Sequence, residues 1–327
     1  MAMIELKNVT KSFGSITAVA GVSFSIAEGE LFALLGPNGA GKTTTLSMLS
    51  TLVDPDDGEA FVNGCNVKSQ KDSVRKSIGI VFQDQTLDED LTAYENLDYQ
   101  ARLYGVPKKE REQRISELLQ LVELNERAKS FVKTFSGGMK RRLELIRGLL
   151  HQPKVLFLDE PTLGLDPQTS NHLWDYIRGL QRKHNITIIL TTHYMEEADK
   201  LADRVAIIDK GKIIALDTVT NLKNAIGGEV ILVETEGDDF IPILEELPWV
   251  THVHKYNGYL QVSTGEAEKR IVELMQVAQQ HNISLKSLSI RKPTLEDVFL
   301  HFTGKTIREA EGSVEETMRL ARRAWRR

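Results

Sequence analysis

Near the start of the chain apolar and polar residues alternate, in Ile4-Glu5-Leu6-Lys7 and in Val22-Ser23-Phe24-Ser25-Ile26. This period of two predicts half-buried strands with turns at Gly14 and Gly29. The pattern then changes to unbroken apolar runs, Leu31–Leu35, Ile78–Phe82, Val155–Leu158 and Ile186–Leu190, which predict strands buried on both faces. After the first run, Leu46, Leu49 and Val53 keep a helical face, and Ile115, Leu118, Leu119 and Val122 make an amphipathic stripe at i, i+3, i+4 and i+7. The turn cluster Asp54-Pro55-Asp56-Asp57-Gly58, the segment Glu59–Val62 and the turn Asn63-Gly64 predict a hairpin. Residues 1–225 therefore read as an α/β domain with an antiparallel β layer and a helical subdomain.

A second pattern starts after the glycine pair Gly227-Gly228, which marks a linker. Over 226–304 strands at Val230–Glu234, His252–Tyr256, Tyr259–Val262 and Ile283–Ile290 alternate with helices at Asp239–Leu247 and Glu266–Gln280. The order is β-α-β-β-α-β, which predicts a small α+β, ferredoxin-like C-terminal domain. Ser263 with Glu266 fits a capping box, and Ile271, Leu274, Met275 and Ala278 fit a buried face. Residues 305–327 read as a basic tail, with a sparse apolar face of Met318, Leu320 and Trp325. The tail ends in Arg319, Arg322, Arg323, Arg326 and Arg327. Such a cluster is either a solvated end or a contact for anionic lipid headgroups.

Composition narrows the function classes. A net charge of −5 argues against a broad basic surface, so no nucleic-acid partner is expected. The single cysteine, Cys65, excludes an intrachain disulfide and a multi-cysteine zinc site. No apolar stretch approaches the roughly 20 residues that span a bilayer, and the Met1-Ala2-Met3-Ile4-Glu5 start lacks the order of a signal peptide. Any membrane role is expected to come through a partner.

The chemistry centres on Gly36-Pro37-Asn38-Gly39-Ala40-Gly41-Lys42-Thr43-Thr44, two glycines bracketing four residues, then lysine, then a hydroxyl. Between a strand and a helix this is a phosphate loop: glycines let amides crowd onto phosphate oxygens, Lys42 reaches the β/γ-phosphates and Thr43 can ligate Mg²⁺. The Val155–Leu158 run ends in Asp159-Glu160, two carboxylates at a strand's carboxyl end. Asp159 can hold Mg²⁺, and Glu160 can orient or deprotonate a water. His193 follows the Ile186–Leu190 strand to the same edge, where it can donate to a γ-phosphate or serve structure alone. Ser136 is a candidate N-cap with Gly137 and Gly138 amides behind it, a second anion-binding start, while Lys140-Arg141-Arg142 reads equally as a solvated helix face. Phe13 either offers a ring to a base or sits in the core, and Gln83 either faces a metal-bound phosphate or caps its strand.

Taken together, Gly36–Thr44, Gln83, Ser136-Gly137-Gly138-Met139, Val155–Glu160, Leu163-Gly164-Leu165-Asp166 and His193 resemble the ABC ATPases in number, order and approximate spacing over about residues 1–225. The resemblance implies that Phe13 stacks on adenine, that Gln83 lies near the metal in the loop coupling ATP to a transmembrane partner, and that Glu160 is the catalytic base. It also implies that His193 is the switch histidine, that Thr43 and Asp159 serve Mg²⁺, and that Asp166 belongs with the nucleotide-binding residues. In this family the Ser136-Gly137-Gly138 signature of one protomer closes over ATP held by the other. A homodimer, or a dimer with a related ATPase, on the cytoplasmic face of a membrane permease is thus expected. Phe135 and Met139 depart from the commonest form of the signature. Lys292–Leu300 is similar to the C-terminal extension of daunorubicin-type exporter ATPases. The rival class is a soluble ABC ATPase acting on ribosomes or DNA, but neither a second ATPase unit nor a long coiled-coil or zinc insertion is visible. A module that binds ATP without turnover is a third reading, against which Glu160 and His193 argue.

Overall fold

The computed structural model describes residues 2–226, 229–235, 239–256, 258–305 and 307. The Gly227-Gly228 linker and the tail from residue 308 lie outside these. Contacts divide the chain after Leu216.

In the first unit the alternating segments become the antiparallel pair β1 (Ala2–Phe13) and β2 (Ile16–Ala27). The apolar run β3 (Leu31–Leu35), the helix α1 (Lys42–Leu49) and the hairpin strands β4 (Asp57–Val62) and β5 (Cys65–Asn66) follow. Val53 lies beyond the end of α1 and does not extend its face, because the helix stops at Ser50 and Thr51 turns with φ +65°. Next come α2 (Lys71–Ser77), β6 (Ile78–Val81), α3 (Ala93–Leu103), α4 (Lys108–Leu121) and α5 (Gly137–Arg147). The unit continues through β7 (Val155–Asp159), α6 (Pro167–His184), β8 (Thr187–Thr192), α7 (Met195–Leu201), β9 (Arg204–Asp209) and β10 (Lys212–Thr218).

Two sheets result, an antiparallel layer ordered β2-β1-β4-β5 and a six-stranded sheet ordered β10-β9-β3-β8-β7-β6. Strands β3, β7 and β8 are buried along their whole length, and β6, β7, β8, β3 and β9 pair in parallel. Their carboxyl ends consequently share one edge, where parallel sheets present ligand sites. The inner faces of both sheets meet in one core, where Phe24 of β2 stacks on Phe32 of β3 at 5.1 Å. The helices α3, α4 and α5 close over a separate core containing Leu97, Ile115, Leu119, Val122, Leu143 and Ile146. A capping box starts α3: Thr92 accepts from Glu95 N while the Glu95 carboxylate accepts from Thr92 N at 2.8 Å.

The second unit comprises α8 (Val219–Ala225), β11 (Glu229–Thr235), α9 (Phe240–Glu245), β12 (His252–Tyr256), β13 (Tyr259–Thr264), α10 (Ala267–Gln280), β14 (Leu285–Arg291) and α11 (Leu295–Thr303). Its sheet order β12-β13-β11-β14, antiparallel throughout, is the ferredoxin-like arrangement. The helix α8 packs on α11, and the contact boundary accordingly falls earlier than residue 225.

Two local expectations fail here. Ser263 belongs to β13, so it cannot cap α10; instead the Glu229 carboxylate of β11 accepts from Ala267 N at 2.7 Å. Met275 is 55% exposed, whereas Leu274 and Ala278 are buried and Ile271 packs beside them. The sheet contacts only a narrow stripe, and the residue after Leu274 is rotated about 100° away from it.

Asp297 lies in the first turn of α11. Thr294 and Asp297 form a capping box, and Arg291 Nη2 donates to Asp297 Oδ1 at 2.7 Å. Burial works to raise the Asp297 carboxyl, but the hydrogen bonds from Arg291 and Thr294 outweigh it and hold it below its ordinary 3.8. This contribution is present above the unfolded value and is lost as pH falls through the lower folded one. Asp297→Ala should destabilise the unit by about 2 kcal/mol through loss of the cap and the charged pair. Thermal unfolding at neutral pH measures this, and an unchanged midpoint would reject it.

Candidate active site

The phosphate loop leaves β3 at Leu35 and is wedged against its neighbours. A Cβ on Gly36 would stand 2.2 Å from Ile208 O, and one on Gly41, at φ +106°, 2.4 Å from Ala18 O. Only glycine fits at both positions. Gly211 N donates to Ala40 O at 2.9 Å and Ala20 N donates to Gly211 O at 2.8 Å, fastening the loop to β2. Gly41 occupies the N-cap of α1 with no side-chain cap and no acidic residue in the first turn, an electropositive helix start suited to an anion. Lys42 is 4% exposed, and its Nζ donates to Gly36 O at 2.8 Å and Pro37 O at 3.1 Å.

Strands β7 and β8 bring the other groups to this edge. Thr43 Oγ1 donates to Asp159 Oδ1 at 3.2 Å, and Thr191 Oγ1 of β8 donates to the same oxygen. Burial pushes the Asp159 carboxyl above its ordinary value, although both hydroxyls pull the other way. A buried carboxylate beside a hydroxyl is a hard-oxygen pair that suits Mg²⁺ and whose burial a cation would offset.

Glu160 is held in the left-handed region at φ +46°, its N–H shared between Thr191 O and Thr191 Oγ1, both at 3.1 Å. Such a conformation is costly for a non-glycine residue and turns the carboxylate back over the loop. Its Oε1 lies 3.4 Å from Lys42 Nζ and 3.1 Å from His193 Nδ1. Burial works to raise this carboxyl, but His193 and Lys42 outweigh it and hold it ionised below its ordinary value.

Lys42, Thr43, Asp159, Glu160 and His193 are thus brought together within one cluster. Gly36 and Pro37 join it through the Lys42 hydrogen bonds, and the candidates outside the phosphate loop stand apart from these contacts. Phe13 is 51% exposed at the β1–β2 turn, so its ring is not core; Lys11 Nζ lies 5.5 Å from it. Gln83 is exposed just beyond β6. Ser136 caps α5 by accepting from Met139 N at 3.3 Å, with Ser136 and Gly137 exposed. A Cβ on Gly138 would meet Thr169 Cγ2 at 2.5 Å, so any larger residue there must displace the Thr169 side chain. Asp166 caps α6, accepting from Thr169 N at 3.0 Å and Thr169 Oγ1 at 2.6 Å. Asn38 and Gly39 are exposed, Ala40 is buried and Thr44 half-buried.

Of the open readings of Lys140-Arg141-Arg142, the solvated face does not hold at Arg141, which is 7% exposed. Sequence reasoning also missed Thr191 and Glu197. Glu197 is fully buried, accepts from Thr162 Oγ1 at 2.9 Å and Trp174 Nε1 at 3.0 Å, and is pushed above its ordinary value by that burial. It ties the turn after Glu160 to α6 and α7. A cavity of about 710 Å³ near Lys154 and Ile186 lies at the opposite strand ends and includes none of the clustered residues.

The family model described as ABC transporter matches residues 19–163, and the one described as ATP-binding protein DrrA1-3-like, C-terminal domain, matches residues 218–303. The linearmycin resistance ATP-binding protein of Bacillus subtilis (strain 168) is 41% identical over 312 residues, covering 94% of this chain and 100% of that protein. The daunorubicin/doxorubicin resistance ATP-binding protein of Streptomyces peucetius is 36% identical over 320 residues, covering 96% of each. Among solved structures, a dimeric post-hydrolysis ATP-binding cassette bound to ADP and Pi superposes with a TM-score of 0.60 at 29% identity, covering 66% of this chain and 98% of that one.

Proposed function

Because the chain belongs to the ABC transporter ATP-binding proteins, in the group of the drug-resistance exporters, we propose that Glu160 is the base that drives its ATP hydrolysis. The protein is an ATP-hydrolysing subunit that energises a separate permease in an exporter. The observation that carries the role assignment is the meeting of the Glu160 carboxylate with Lys42 and His193 over the phosphate loop.

ATP enters with its phosphates on the Gly36–Thr44 amides, and Lys42 turns from the Gly36 and Pro37 carbonyls to the β/γ-phosphates. Glu160 orients the attacking water and takes its proton, while His193 holds that carboxylate and faces the γ-phosphate. Thr43 and Asp159, with Gln83 from its exposed segment, would hold Mg²⁺. The ion neutralises phosphate charge when bound. Phe13 carries the adenine on its exposed ring, and Asp166 shapes the turn beside the glycine helix. The exposure of Ser136 and Gly137 supports a site completed by a second protomer, identical or related.

Among the described residues no helix is long and apolar enough to cross a membrane. The chain works at the cytoplasmic face, attached peripherally through its permease, with a cargo of the drug, lipid or polysaccharide type. The near-full-length relatives include drug-resistance and Nod factor export ATP-binding proteins, which gives the ribosome or DNA alternative no support.

With hydrolysis blocked, ATP should convert the chain from monomer to dimer on sizing, and dilution of the wild type should lower the rate per chain. A rate per chain that stays constant across dilution, with monomer alone in ATP, would sink the shared-site reading.

A further inference from the structure

Arg141 spends its whole guanidinium on one junction. Its Nε donates to Pro161 O at 2.7 Å, its Nη2 to Asp159 O and Glu160 O, both at 3.0 Å, and its Nη1 to Phe82 O at 2.6 Å and Glu144 Oε2 at 3.1 Å. Glu144, 2% exposed, turns its other oxygen to Thr86 N at 2.8 Å, and Arg147 Nη1 donates to Thr86 O at 2.7 Å. Arg141, Glu144 and Arg147 share one face of α5 at three-residue spacing. That face joins two things far apart in sequence: the turn that aims the Glu160 side chain, and the segment 82–86 that contains Gln83. The same helix begins at the exposed Gly137 and the half-buried Gly138, one turn before Arg141.

We propose that Arg141 is a positioning residue for ATP hydrolysis, locking the Glu160 backbone, the Gln83 segment and the glycine helix into one unit. The inference rests on the role of Glu160 proposed above. A planar guanidinium can bond several carbonyls in fixed directions, which a lysine ammonium cannot reproduce. Glu160 sits in a left-handed conformation whose carbonyl and that of Asp159 are both held by Arg141, so loosening the fork lets the carboxylate swing from His193 and Lys42. Arg141 donates to the carbonyls of Phe82, Asp159, Glu160 and Pro161 and to the Glu144 carboxylate, and acts through these groups.

The test uses the full chain with Arg141→Lys, Glu160→Gln and the double variant, measuring turnover, ATP affinity and melting temperature. Arg141→Lys should lower kcat by about 10²-fold, the scale of a misplaced reacting group, with ATP affinity within about twofold of wild type. Added to Glu160→Gln it should cost nothing further, because residues acting as a unit are not additive. A kcat near wild type in Arg141→Lys, losses of kcat, affinity and melting temperature in parallel, or losses that multiply in the double variant would overturn the proposal. Should Arg141→Lys not fold, Glu144→Gln supplies the same comparison, with an expected kcat loss of about tenfold at unchanged affinity, and an undiminished kcat there overturns the proposal. A wild-type chain that binds ATP without turnover would instead overturn the reading on which it rests.

Discussion

Glu160→Gln should slow ATP hydrolysis by about 10²–10⁴-fold, the usual worth of a general base, while ATP binding stays close to wild type. The amide keeps the shape of the carboxylate and can still meet His193 Nδ1, now 3.1 Å from Glu160 Oε1. What is lost is the charge that orients water and accepts its proton, a requirement of the transition state more than of bound ATP. The phosphate contacts come from the Gly36–Thr44 loop and do not depend on residue 160, so affinity and turnover should separate. Single-turnover hydrolysis beside equilibrium nucleotide binding provides the check. Turnover within tenfold of wild type would remove Glu160 from the base's role.

Lys42→Ala should act on the other quantity, weakening ATP affinity by about 10²-fold, the equivalent of one charge-assisted hydrogen bond at about 1.5–3 kcal/mol. In the structure Lys42 Nζ is already dry and held by the carbonyls of Gly36 and Pro37. Exchanging those carbonyls for phosphate oxygens needs only a short movement and little new ordering. The substitution also takes from Glu160 the Lys42 cation that helps His193 keep its carboxyl low, so its pKa should rise and the fraction of active base at neutral pH should fall. Titration with a fluorescent ATP analogue measures the first effect and the acid limb of the pH–rate profile the second. Equal affinity in both proteins would contradict the assignment.

The failures of sequence reading share a cause. Arg141 sits among Lys140 and Arg142 as if on a solvated face, yet its acceptors are carbonyls of Phe82, Asp159, Glu160 and Pro161, and main-chain oxygens leave no mark in a residue pattern. The Ser263–Glu266 spacing satisfies a capping rule, but the pairing of β13 with β11 extends the strand through Thr264 and gives the cap to Glu229. Glu197, fully buried, has no local signal at all, since its donors come from Thr162 and Trp174 on other elements.

The sequence by itself determined the buried strands β3, β6, β7 and β8, the phosphate loop between β3 and α1, the two acids ending β7 and the β-α-β-β-α-β order of the second unit, but not β9 and β10. Each of these is written within a few consecutive residues, where periodicity and glycine chemistry act locally. Only the tertiary structure decided which distant groups meet: Thr43 with Asp159, Glu160 with Lys42 and His193, and Arg141 with the ends of β6 and β7. The parallel register of β3, β7 and β8 sets those meetings, because it brings the carboxyl ends of strands far apart in sequence to one edge.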